Sequence, residues 1–88
     1  MIFTLFYEKR FLKDLDKIPN ADVERIVLAV KNLVHDPLPK DCKKLKGGPD
    51  IFRVRQGNYR IIYEIDLTRR QVRILCARHR KDVYKNIP

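Results

Sequence analysis

The stretch from Lys44 to Tyr63, KLKGGPDIFRVRQGNYRIIY, constrains the fold more than any other part of the chain. Two runs rich in β-branched and aromatic residues, Ile51–Gln56 and Tyr59–Ile65, flank Gly57-Asn58, a two-residue turn signal between alternating strands. With Gln56 and Tyr59 closing the turn, counting outward sets Arg55 opposite Arg60, Val54 opposite Ile61, Arg53 opposite Ile62 and Phe52 opposite Tyr63. Side chains alternate across a sheet, so Phe52, Val54, Ile61 and Tyr63 share one face and Arg53, Arg55 and Arg60 the other. Like charges directly opposite each other on a sheet are destabilising. Three guanidinium groups on one patch therefore imply an anion, and a nucleic-acid phosphate suits them better than plain solvation. Glu64 shares their face and is the simplest counter-charge to Arg60 or Arg53.

The segments around this hairpin supply its scaffold. Ile2–Tyr7 (IFTLFY) has the composition of a first strand. Phe11, Leu15 and Ile18, with Leu12 beside them, then follow helical spacing up to Pro19. Asn20 is the expected N-cap of a second helix, with Asp22 and Glu24 in the first turn where the dipole favours carboxylates. Its apolar face is Val23, Ile26, Val27, Val30, Leu33 and Val34, and Asp36-Pro37 ends it. His35 to Asp50, with three prolines, Gly47-Gly48 and the lysines Lys40, Lys43, Lys44 and Lys46, is expected to be a basic loop. After a polar turn at Asp66–Arg70, Gln71–Arg78 is a further strand in which Val72, Ile74 and Cys76 alternate with Arg73, Leu75 and Ala77. Both its faces are fairly apolar, which places it inside the sheet.

The order β-α-α-β-β-β over 88 residues predicts one α+β domain. A mostly antiparallel sheet carries a two-helix hairpin on its Phe52/Val54/Ile61/Tyr63 face and leaves the arginine face open. Lys and Arg number 20 against 11 Asp and Glu, a formal net charge of +9, which points to a polyanionic or acidic partner. Cys42 and Cys76 leave room for one disulfide but fit reduced thiols better, and no cysteine–histidine set suits zinc. The N-terminal apolar run is cut short by Glu8-Lys9-Arg10, too early for a signal sequence or membrane span, so a cytoplasmic location is expected.

Four motifs together resemble the RelE toxin family of type II toxin–antitoxin systems, within the RelE/ParE superfamily. They are KLKG at Lys44–Gly47, DIFRVR at Asp50–Arg55, GNYRIIY at Gly57–Tyr63 and HRKDVY at His79–Tyr84. The resemblance implies a ribosome-dependent mRNA endonuclease that needs no metal or cofactor. It would cut the A-site codon by attack of a ribose 2′-OH on the adjacent phosphate and be held by a cognate antitoxin. Carried over residue by residue, the catalytic set falls on Arg53, Arg55, Arg60, Arg80 and Tyr84, with Arg78 competing for the place of Arg80. Lys43, Lys44, Lys46, Arg78 and Lys81 would contact RNA. Well-known relatives have lysine where this chain has Arg53 and Arg55. Arginine stays charged and cannot serve as the base, which leaves Tyr84, His79, Lys81 or ribosomal RNA to accept the proton. The alternative is a ParE-type toxin that inhibits gyrase without nuclease activity.

Overall fold

The computed structural model describes residues 2–45 and 50–82. Chain order is β1 (Thr4–Tyr7), α1 (Lys9–Asp16), α2 (Asn20–Asn32), β2 (Lys43–Lys44), β3 (Ile51–Gln56), β4 (Tyr59–Asp66) and β5 (Gln71–His79). The strands form one sheet in the order β1-β5-β4-β3-β2. β1 runs parallel to β5, and the other three pairings are antiparallel. The expected α+β architecture is therefore present, with β5 interior to the sheet. Among the described residues, no helix is long and apolar enough to cross a membrane.

The β3–β4 hairpin has the register that its sequence predicts, from Gln56 opposite Tyr59 out to Phe52 opposite Tyr63 and one step beyond, Ile51 opposite Glu64. Gly57 alone of the two turn residues has a positive φ, 60°, which is the type II′ pattern that matches strand twist. Val54, Ile61 and Tyr63 are buried in the main core, where they meet Phe11, Ile18, Ile26, Val30 and Leu33 from the helical layer. Tyr63 is fully buried, and its hydroxyl donates to the Pro37 carbonyl at 2.8 Å, tying the sheet to the segment after α2.

Several details depart from the sequence expectation. β1 is shorter than Ile2–Tyr7, and Leu12 lies outside the buried stripe, 51% exposed beside a buried Phe11. Pro19, not Asn20, occupies the N-cap of α2, and no side chain caps it. Proline fits there because its ring presets φ and the helix loses no hydrogen bond. The segment expected to be a loop contains β2, whose Lys43 and Lys44 pair with Arg53 and Phe52. Such a short, lysine-bearing edge strand is easily missed in sequence, since both features are ones that blunt sheet edges.

The largest departure lies in β5. Ile62 of β4 faces Cys76, but Tyr63 faces Ile74, so Leu75 is an extra residue in β5, a β-bulge. Simple alternation would put Cys76 with Val72 and Ile74. The bulge instead turns Ala77 into the helix-covered core with Val72 and Ile74, and packs Cys76 with Leu75 and Ile62 on the opposite face. That opposite face is accordingly not wholly open. Ile62 and Cys76 are fully buried there, with Leu45 and Ile51 packed against them.

Candidate anion site on the arginine face

Register alone assembles a row of cations at the hairpin end of the sheet. Arg55 of β3 lies opposite Arg60 of β4, and Arg60 lies opposite Arg78 of β5. One step further from the turn, Lys43 of β2 lies opposite Arg53. Neighbouring strands are about 4.8 Å apart, so these charges are crowded into an area about the size of a nucleotide. Arg78 joins the row only because of the bulge at Leu75. Without it, the parity of Val72 and Ile74 would send Arg78 toward the helices.

The cations are spread apart by individual anchors. Arg60 Nη1 donates to the Gly57 and Tyr59 carbonyls at 3.2 and 3.0 Å, which draws its guanidinium toward the turn. Arg78 Nε lies 3.9 Å from Asp14 Oδ2 of α1, at the edge of β5 beyond the end of β1. Among the described residues, Arg53 Nε and Arg78 Nε are buried without a hydrogen-bond partner. A buried unmet donor costs roughly 1–3 kcal/mol. Placing two in one basic patch is a stability cost that a binding role would explain. Burial pushes the neighbouring Cys76 thiol up, while the Arg78 guanidinium pulls it down.

The remaining sequence candidates are distributed unevenly. Arg80 is exposed, and its N–H donates to the Asn58 carbonyl at 2.7 Å, so the segment after β5 is held against the hairpin turn. Lys81 is exposed too, with its N–H bonded to His79 Nδ1 at 3.2 Å. Lys44 pairs with Phe52, so alternation sets it on the helix side of the edge, away from Lys43. His79 packs edge-on against Tyr59 with ring centroids 5.5 Å apart, on the helix side as well. That orientation removes His79 from the row it was expected to serve as a base. Glu64 lies opposite Arg73, at the far end of the sheet from Arg60, and of the arginines on β3 and β4 only Arg53 is its diagonal neighbour. Lys46 and Tyr84 lie outside the described residues. Sequence reasoning did not single out Asp14, whose role at the β5 edge no local motif announces.

Comparison with known proteins identifies the family. A family model for the ParE toxin of type II toxin-antitoxin system, parDE, matches residues 5–84. Toxin RelE3 of Methanocaldococcus jannaschii is 34% identical over 93 residues, an alignment covering 96% of this chain and 98% of that protein. Toxin RelG of Mycobacterium tuberculosis is 30% identical over 86 residues, covering 97% and 99%. In structure, the chain is similar to one from the archaeal RelE-RelB complex of Pyrococcus horikoshii OT3. The TM-score is 0.80 at 29% identity, with 91% of this chain and 97% of that one covered. With the α+β fold, the family model over most of the chain and near full-length similarity to RelE toxins in agreement, the chain belongs to the RelE family of type II toxin–antitoxin toxins.

Proposed function

We propose that this toxin is a metal-independent endoribonuclease that cuts mRNA in the ribosomal A site. The observation that carries this reading is the row Arg55–Arg60–Arg78, with Arg53 beside it, on the face of the sheet opposite the helices. A scissile phosphate seated on that row would gain negative charge as a ribose 2′-oxygen attacks it. The new bond is 2′-O to phosphorus, and the bond that breaks is phosphorus to the 5′-oxygen. The products are a 2′,3′-cyclic phosphate and a 5′-OH. Preorganised guanidinium groups stabilise the pentacovalent arrangement more than the ground state, an effect worth 10²–10³ in rate for a single donor in comparable sites. They also replace the charge that a metal ion supplies in other nucleases.

Within this reading Arg53, Arg55, Arg60, Arg78 and Arg80 bear on the phosphate, while Lys43 and Lys81 hold the flanking RNA backbone. Arginine does not give up its proton at neutral pH, so the 2′-OH proton goes to another group, with Tyr84 and Lys81 in the tail as this chain's candidates, and the leaving 5′-oxygen takes up a proton from water. A cognate antitoxin holds the toxin in a hetero-oligomer until it is released. Support for that partner comes from relatives solved with antitoxins, including the RelE-RelB complexes of Pyrococcus horikoshii and Methanococcus jannaschii. A net charge of +9 suits such an acidic protein as well as it suits RNA.

Induced expression with two readouts tests the proposal. Arrest of translation with transcripts cut inside codons is the expected result. Arrest of gyrase with intact mRNA would replace this reading with that of a gyrase inhibitor.

A further inference from the structure

Asp14 is a half-hidden carboxylate with two tasks. Its Oδ2 accepts the Ala77 N–H at 3.0 Å and lies 3.9 Å from Arg78 Nε. The side chains of Arg78 and Asp14 are only 20% and 16% exposed, so water screens the pair far less than the surface pairs Arg69–Asp66 and Arg73–Glu8. The first task needs no charge, because any side-chain carbonyl would accept the Ala77 N–H. Only the second uses the carboxylate's charge.

Arg78 needs such a counter-charge for a definite reason. Register sets it directly opposite Arg60, a like-charge pair that pushes the two guanidinium groups apart. Arg60 is drawn toward the hairpin turn by the Gly57 and Tyr59 carbonyls, and Arg78 is drawn to the free edge of β5 by Asp14. At 3.9 Å the contact is an ion pair and not a hydrogen bond. The guanidinium is thus held by charge and not by a hydrogen bond from Nε. We propose that Asp14 is a positioning residue, which fixes Arg78 as the outer wall of the anion site and sets the width available to a phosphate. This rests on the reading of the arginine row as the nuclease site. Asp14 itself does not touch the RNA.

Asp14→Asn keeps the acceptor for Ala77 and removes the charge, so it separates the two tasks. In ribosome-programmed mRNA cleavage, Asp14→Asn should lower kcat about 10-fold with KM little changed, and Asp14→Glu should restore most of the loss. In an Arg78→Ala background, Asp14→Asn should have no further effect. A full effect of Asp14→Asn in that background, or normal kcat in the single variant, overturns the proposal. A readout independent of cleavage is the Arg78 Nε–H resonance in a nitrogen-15 correlation spectrum. It should be slow to exchange in the parent and broadened or fast-exchanging in Asp14→Asn. An unchanged resonance refutes the positioning role. A parent protein that cuts no RNA yet shows the expected spectral change refutes the nuclease reading and leaves the anchoring of Arg78 by Asp14 standing.

Discussion

The two faces of the sheet use the same strands to opposite ends. On the helix-covered face, Val54, Ile61, Tyr63 and Ile74 are all buried in one continuous core. On the other face, a small apolar floor of Ile62, Leu75 and Cys76 gives way toward the hairpin turn to Arg55, Arg60 and Arg78. One face is devoted to stability. The other carries only enough apolar surface to hold a charged row in place, and accepts two buried unmet guanidinium donors there. The contrast teaches where substitutions should trade activity for stability and where they should not.

Single substitutions on adjacent residues of β4 sharpen the comparison. Ile61→Ala on the core face should destabilise by about 2–5 kcal/mol, with the activity of the folded fraction retained. Arg60→Ala should leave the denaturation midpoint nearly unchanged and lower cleavage by about 10²–10³-fold. Arg80→Ala should behave like Arg60→Ala. Fully toxic, folded Arg60→Ala/Arg80→Ala protein would remove the catalytic assignment from this face.

Tyr63→Phe probes the core face at its polar point. Losing the hydroxyl strands the Pro37 carbonyl and should cost about 1–2 kcal/mol at neutral pH. Burial, assisted by Cys42 and Asp36 nearby, pushes the Tyr63 hydroxyl well above its ordinary range. The folded chain therefore keeps this proton at a pH where the unfolded chain has lost it. That contribution is complete below the ordinary tyrosine value of about 10 and is lost as pH rises beyond it. Urea midpoints for the two proteins should converge between pH 7 and 11, and a constant gap would contradict the assigned shift. The smallest effect is expected at Arg70, a non-glycine residue with φ of 56° in the turn before β5. Arg70→Gly relieves a left-handed strain of about 1–2 kcal/mol but loosens the unfolded chain, so the melting temperature should change by only a few degrees.

Much of this was legible in the residues. The Gly57-Asn58 turn fixed the hairpin register pair by pair, because turn length and strand alternation leave little freedom there. The helical stripe around Phe11 and Ile26 emerged from spacing alone. What escaped were features whose cause is tertiary. The bulge at Leu75 leaves no mark in an apolar strand, since Leu75, Cys76 and Ala77 suit either face. Asp14 lies on α1 and acts on β5, a contact that spacing does not announce. β2 is two lysines recruited by the neighbouring edge rather than by their own propensity. Arg53, Arg55 and Arg60 were therefore predictable from the hairpin, while Arg78 entered the row through an irregularity.

The parallel pairing of β1 with β5 carries a further consequence, for folding kinetics. Its register joins Thr4 to Gln71, so an early segment of the chain must wait for a late one before it has a partner. Contacts so distant in sequence pay loop-closure entropy before they return any binding energy, and they slow folding. The β3–β4 hairpin is local by contrast and should form early. The anion site spans both regimes: Arg55, Arg60 and Arg78 are brought together by the local β3–β4 and β4–β5 hairpins, whereas Asp14 reaches Arg78 only when the early part of the chain docks on β5. The site should thus be completed late in folding, only after the machinery that makes the chain has released β5.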